Sequence, residues 1–270
     1  MQDNPEPSKQ FERKVVLVTG AGKGIGRQIA TAFAAQGAWV AANDITPINL
    51  DETLAHILAG GGRAKDYIFD IAKKMPVQAM VEQVLADWGQ IDMLVNCATV
   101  NPRTSILDMD EWDWHRTIDV NLGGPFWTMQ VAGRVMREQG SGVIVNIASF
   151  PGGAQSSDDC AAVLASKMGL IGLTREAARE LSPYHIRVHA VCSGLGRTNL
   201  EHMLVRQAGS LMDKGEMQGR ELAGYVPKNA RLSIHEQVVD AVLSLCSQAA
   251  AHVTGQVIYI EGKQTGISVV

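Results

Sequence analysis

The sequence predicts a single-domain α/β fold: a doubly wound parallel sheet of about seven strands, covered by helices on both faces. Three observations carry this. Short apolar runs rich in β-branched residues alternate with helical patterns along the chain, which is how a parallel sheet with two covered faces reads. The first run, Val15 to Val18, leads through Thr19-Gly20 into a turn holding Gly22, Gly24 and Gly26, and then into a helical pattern, Gln28 to Gln36. The second run ends on a carboxylate, Asp44.

The remaining elements follow in order. The second strand, Ala38 to Asp44, precedes a helix around Leu50 to Ala59 that stops at Gly60-Gly61-Gly62, a capping and turn signal. Ala64 to Phe69 makes the third strand and ends at Asp70-Ile71. In the next helix, Val77 to Trp88, the residues Val77, Met80, Val81, Val84 and Leu85 recur at helical spacing. Asp92 to Val95 is the fourth strand, closing at Asn96-Cys97-Ala98. One long helix is expected over Asp110 to Glu138, with Trp112, Ile118, Val120, Leu122 and Phe126 among its apolar residues and its tryptophans used in core or interface packing. The fifth strand, Val143 to Ile147, ends at Ala148-Ser149 and gives way to a glycine- and serine-rich connection. An alanine-rich helix from about Asp159 to Leu181 leads to the sixth strand, Ile186 to Val191. From Arg197 to Val226 the pattern loosens and carries Met203, Met212 and Met217, a composition that suits a flap over a pocket. A helix (Ile234 to Leu245) and a strand (Gln256 to Ile260) close the fold. Residues 14–270 read as one domain behind a loose lead, 1–13.

The strand, glycine turn and helix start at Val15 to Gly26 form a phosphate-binding device. Backbone N–H groups and the positive end of a helix meet an anion, and glycines let a pyrophosphate approach the main chain. Asp44 lies roughly 20 residues further on, where an acid accepts hydrogen bonds from the adenosine ribose. Its charge would repel a 2′-phosphate, so NAD is expected rather than NADP, although Lys23 in the loop pulls the other way. Gly20, Lys23, Gly24, Ile25 and Gly26 are therefore expected at the dinucleotide.

Composition narrows the partners. The net charge is −4, which gives no electrostatic reason to expect nucleic acid or an anionic membrane. Cys97, Cys160, Cys192 and Cys246 are scattered with no C-x-x-C pair and read as reduced, intracellular thiols. His185 and His189 are four apart but in a strand-like segment, so no metal site is expected. Met1 to Arg13 is polar and unlike a signal peptide, and no apolar run approaches a membrane span. The expectation is a soluble cytoplasmic protein acting on a small molecule.

Several motifs in this order resemble the short-chain dehydrogenase/reductase family, a Rossmann-fold family, over Lys14 to Gly262. The family's T-G-x-x-x-G-I-G loop matches Thr19 to Gly26. Its N-N-A-G matches Asn96-Cys97-Ala98-Thr99 at two of four positions, and its catalytic-asparagine segment matches Val120-Asn121-Leu122. The serine-bearing strand end matches Val145 to Ser149, and P-G-x-x-x-T becomes Ser193-Gly194-Leu195-Gly196-Arg197-Thr198. The resemblance implies Asn121, Ser149 and Lys167 as catalytic residues. It further implies Asp70, Ile71, Asn96, Ala98, Lys167, Gly194, Gly196 and Thr198 as cofactor-lining residues, and a homotetramer. The segment Cys160 to Ala178 offers small residues for close helix contact, namely Ala161, Ala162, Ala165, Gly169 and Gly172.

The resemblance breaks at the family's Y-x-x-x-K. Lys167 is present in Val163-Leu164-Ala165-Ser166-Lys167, but Val163 stands where the tyrosine belongs, and the interval from Ser149 is about one residue longer than in the family. In the family the lysine lowers the pKa of a phenol that exchanges a proton with the substrate oxygen as hydride moves. Without it, ordinary carbonyl reduction loses on the order of 10² to 10⁴ in rate unless another group substitutes. Asp159, Val163 and Lys167 are four apart and would stack on one helical face, which makes Asp159 a candidate; otherwise it is a helix-start residue. Tyr184 and Tyr225 fall in a turn and in the flap. Three functions compete: an NAD-linked oxidoreductase with an atypical site, a lyase or dehydratase using Ser149 and Asp159, and a non-catalytic NAD-binding subunit.

Overall fold

The computed structural model describes residues 9–148, 159–193, 233–260 and 268–269. The expected flap, about 197–226, lies outside the described residues, as do Ser149, Gly194, Gly196, Thr198 and Tyr225. The strands are β1 (Val15–Thr19), β2 (Trp39–Asp44), β3 (Arg63–Ile68), β4 (Met93–Asn96), β5 (Gly142–Ile147), β6 (Ile186–Ser193), β7 (Val257–Ile260) and β8 (Ser268–Val269). They form one sheet in the order β3-β2-β1-β4-β5-β6-β7-β8. The seven expected strands are parallel to one another. β8, which no pattern in the sequence announces, adds antiparallel to β7.

The helices are α1 (Gly24–Ala35), α2 (Pro47–Ala59), α3 (Lys74–Trp88), α4 (Glu111–Ile118), α5 (Gly124–Gln139), α6 (Ala161–Leu181) and α7 (Ile234–Cys246). α1 and α7 cover one face, packing Ile29, Phe33, Val238 and Val242 on Val16, Val18, Val145 and Val191. α3 and α5 cover the other, where Val77, Val81, Met129 and Met136 meet Leu17, Leu94 and Ile144. Every β1 side chain is wholly buried, so the strand reads as an unbroken apolar run instead of an alternating one. The order of strands reverses between β1 and β4. In open α/β sheets a crevice for ligands forms beyond the carboxyl ends of the strands at such a switch point.

Four expectations need correction. α1 starts at Gly24, inside the glycine turn, and not at Gln28: glycines hide a helix start that exists to aim N–H groups outward. The helix expected over Asp110 to Glu138 is split by a π-helical turn, Asp119–Gly123, between α4 and α5. Asp159 lies before α6 with φ of 62°, exposed, so it does not stack on a helical face with Val163 and Lys167. Its main chain instead accepts a hydrogen bond from the Thr104 N–H, 3.1 Å. Residues 9–13 do not trail loosely either. Phe11 is 3% exposed, its ring centroid 5.0 Å from that of Phe33, and its N–H donates to the Gln36 carbonyl.

On β6, Arg187 donates to the carbonyls of Leu245, Ser247 and Ala250, pinning the end of α7 to the sheet. His189, two residues on and wholly buried, has no hydrogen-bond partner at Nδ1 among the described residues. Burial, aided by the nearby Arg187 charge, pushes its pKa down to about 3. The folded chain therefore keeps His189 neutral where the unfolded chain, titrating near 6.5, takes up a proton. Its contribution is complete above that value and is lost as pH falls towards 3, with a slope approaching about 1.4 kcal/mol per pH unit. Urea midpoints at pH 7, 6 and 5 are expected to fall for the natural protein, and His189→Leu should flatten that decline. Equal slopes for both would assign the acid lability elsewhere.

Candidate functional site

A cavity of about 380 Å³ opens at the switch point. Ten of the expected cofactor residues line it: Gly20, Lys23, Gly24, Ile25, Gly26, Asp44, Asp70, Ile71, Ala98 and Lys167. Its floor is built by close approach of main chains. Gly20 has φ of 67°, and a Cβ there would lie 2.6 Å from the Ala98 Cα; a Cβ on Gly26 would run into the Gly20 carbonyl oxygen. Thr19, at the end of β1, accepts at Oγ1 from the N–H groups of Cys97 (3.1 Å) and Ala98 (3.3 Å), tying the β1 and β4 ends together. The side chain of the N-cap residue Lys23 makes no capping hydrogen bond, so among the described residues the first-turn N–H groups of Gly24 to Gly26 are left for an anion.

Asp44 is oriented by two main-chain donors. Its Oδ2 accepts from the Gly22 N–H and its Oδ1 from the Thr46 N–H, each 3.1 Å. Behind the loop, Arg27 donates to the carbonyls of Gly22 and Asn49 and to Thr53 Oγ1, and pairs with Glu52 at 2.7 Å. Thr53 in turn donates to the Ala21 carbonyl, 2.9 Å. The loop is thus held from below by side chains, and its upper face borders the cavity.

Across the cavity, Asp70 accepts from the Ala72 N–H (3.0 Å) and from Arg116 Nη1 of α4 (3.0 Å). Burial works to raise the Asp70 carboxyl, but the Ala72 and Arg116 donors and the positive charges outweigh it and hold its pKa below the usual carboxylate range. Arg116 lines the same cavity and was not foreseen. Nothing local marks it, since its partner lies 46 residues earlier in the chain.

Lys167, on α6, reaches the inner wall, 3% exposed. Its Nζ donates to the Ile147 carbonyl, 3.0 Å. Burial pulls its pKa down to about 8, only partly offset by the Cys97 and Cys192 thiols. Burial likewise pushes the half-buried Cys97 thiol up to about 11. Val163, one turn before Lys167, is 1% exposed and is not among the lining residues. Among the described residues no tyrosine lines the cavity. The Tyr67 hydroxyl is spent on Asp87, 2.8 Å away, and Tyr184 lies beyond the far end of α6.

Two expected site residues sit behind the wall. Asn96 is buried, donating to Asn146 Oδ1 (2.8 Å) and accepting from Thr128 Oγ1 (2.7 Å). Asn121, in the π-helical turn, uses its whole amide. Oδ1 accepts from the Val100 N–H (2.8 Å) and Thr99 Oγ1 (3.1 Å), and Nδ2 donates to the Val100 carbonyl (2.9 Å) and Ser166 Oγ (3.2 Å). Two donors and two acceptors exhaust an asparagine side chain. Its side chain therefore positions the wall segment Thr99-Val100 against α6. The Thr99 hydroxyl comes from one of the two departures from N-N-A-G, the signal that could have flagged it.

The model of the short chain dehydrogenase family matches residues 14–209. An uncharacterized oxidoreductase of Thermotoga maritima is 37% identical over 257 residues, covering 95% of this chain and 99% of its own. A 3-oxoacyl-[acyl-carrier-protein] reductase of the same organism is 35% identical, covering 94% and 98%. A metagenomic short-chain oxidoreductase solved in complex with NADP superposes with a TM-score of 0.75 at 27% identity, covering 94% of this chain and 99% of that one.

The saturation of Asn121 has a measurable consequence. Asn121→Asp keeps the shape but turns two donors into an acceptor facing the Val100 carbonyl, so stability should drop by about 3 kcal/mol in urea denaturation. Full stability in this variant with a loss confined to turnover would instead place the amide in the chemistry.

Proposed function

The chain belongs to the short-chain dehydrogenase family of oxidoreductases, and from that premise we propose that it binds NAD and serves an alcohol or carbonyl substrate through an atypical site in which Val163 replaces the proton-carrying tyrosine. The observation that carries the reading is the convergence of the open α1 N-terminus, Asp44 and Lys167 on one cavity. These residues fit a dinucleotide. The α1 N–H groups suit a pyrophosphate, Asp44 suits a ribose diol, and Lys167 suits the second ribose. When bound, the nicotinamide ring gives or accepts the hydride. The protein orients it, and Lys167 and the Thr99-Val100 wall shape the dry end of the site. Asp44, whose oxygens face the loop through Gly22, opposes a 2′-phosphate and is set against Lys23 on the same wall.

Four scattered cysteines with no C-x-x-C pair suit the reducing cytoplasm. A homotetramer fits the outward part of α6. There Leu164, Ala165 and Gly172 are exposed, and a Cβ on Gly172 would meet nothing, whereas Ala162 is buried and Gly169 faces this chain's own Leu122. A single 29.0 kDa species in light scattering at micromolar concentration would remove the tetramer.

A second reading, a binding subunit without turnover, is favoured by the lack of a lining tyrosine among the described residues. One experiment decides both points: calorimetry with NAD and NADP, and alcohol and carbonyl assays, on the natural protein and on Val163→Tyr. NAD is expected to bind more tightly than NADP. Val163→Tyr restores a hydroxyl four residues before Lys167 and should raise turnover by about 10² or more. Tighter NADP binding would overturn the role of Asp44. No gain in the variant would mean that the missing phenol is not what limits the chemistry.

A further inference from the structure

Lys167 combines features that make an amine nucleophilic as well as basic. It is nearly inaccessible to bulk water yet reaches a cavity of about 380 Å³. Its one described hydrogen bond goes to a neutral carbonyl, that of Ile147. Among the described residues no carboxylate pairs with it, although five lysine or arginine ion pairs occur elsewhere among them. The groups described beside it, the Ile147 carbonyl and the Cys97 thiol, are uncharged, and the charged residues of the cavity, Lys23, Asp44, Asp70 and Arg116, make no described pair with it. A desolvated lysine without a counter-charge favours its neutral form, and a neutral amine donating one N–H to a carbonyl still holds a lone pair for the cavity.

We propose that Lys167 is an imine-forming amine that captures small, uncharged aldehydes and ketones in this cavity when no dinucleotide occupies it. The Nζ lone pair attacks the carbonyl carbon, the C=O π pair moves to oxygen, and that oxygen takes a proton. The carbinolamine then loses water as the C=N bond forms. The balance is amine plus carbonyl giving imine plus water, reversible and needing no oxidant or reductant. The uncharged surroundings of the amine offer no counter-ion for a charged carbonyl compound, which favours small neutral ones, and a bound dinucleotide would cover the amine. Its pKa of about 8 leaves a free-amine fraction at pH 7 on the order of 10² above that of an exposed lysine, and lower basicity returns part of that advantage. This inference needs only the cavity and the amine, not the redox reading.

The test is reductive trapping. The full chain is incubated with propionaldehyde and sodium cyanoborohydride at pH 7, and alkylated lysines are located by peptide mass spectrometry over time. Lys167 should be alkylated about 10-fold faster than the exposed lysines, faster again at pH 8, and Lys167→Arg should remove that adduct alone. Saturating NAD should suppress it. Alkylation of Lys167 no faster than that of Lys9 or Lys73 would overturn the proposal. Fast alkylation that NAD leaves untouched would uphold the amine and count against the placement of the cofactor.

Discussion

Everything in the candidate site depends on how closely the β1 and β4 ends approach one another at the switch point. Gly20 lies where any side chain would strike Ala98, Gly26 lies over the Gly20 carbonyl, and the Thr19 hydroxyl holds the β4 end through two N–H groups. With no side chain between the strands, main-chain N–H groups reach the cavity, and α1 can begin at once with no capping hydrogen bond from the Lys23 side chain. Gly22 belongs to the same constraint, because a Cβ there would lie 2.7 Å from Asp44 Oδ2. The loop glycines and the acid thus form one unit whose geometry is fixed by absence of bulk.

The other half of the site divides structural from chemical work. Asn121 spends its full hydrogen-bonding capacity on Thr99, Val100 and Ser166, so it builds the wall. Ser166 in turn donates to the Val163 carbonyl, 2.7 Å, locking the first turns of α6 to the π-helical turn. Lys167 is left as a buried amine that reaches the cavity and donates to the Ile147 carbonyl. Holding it at a pKa of about 8 corresponds to about 3 kcal/mol disfavouring its charged form. Such a cost persists where surrounding packing enforces it, and sites of this kind concentrate perturbed groups.

Local patterns made the sheet, the glycine loop and Asp44 legible in the sequence, because each rests on spacing within one element or one βαβ unit, and the family resemblance pointed to Lys167. The rest was hidden for identifiable reasons. The start of α1 is masked by glycines, which score poorly as helix formers. The π-helical turn leaves no mark in an apolar pattern that continues through it. Asp159 matched a four-residue spacing, but its left-handed backbone takes it off the helix. The Asp70–Arg116 bridge and the saturation of Asn121 join residues separated by 46 and by 21 or more positions, which no periodicity reports. The packed lead at Phe11 depends on Phe33, equally remote.

The central claim, an intact dinucleotide cradle beside an alkyl group at the proton-donor position, is tested most directly by a crystal structure of the protein with NAD. It should place the pyrophosphate on the α1 N-terminus, the adenosine ribose on Asp44 and the nicotinamide ribose on Lys167. No tyrosine hydroxyl should stand within about 3.2 Å of where a substrate oxygen would meet the ring. A dinucleotide bound away from Gly20 to Gly26, or a tyrosine hydroxyl from another part of the chain seated beside Val163, would contradict it.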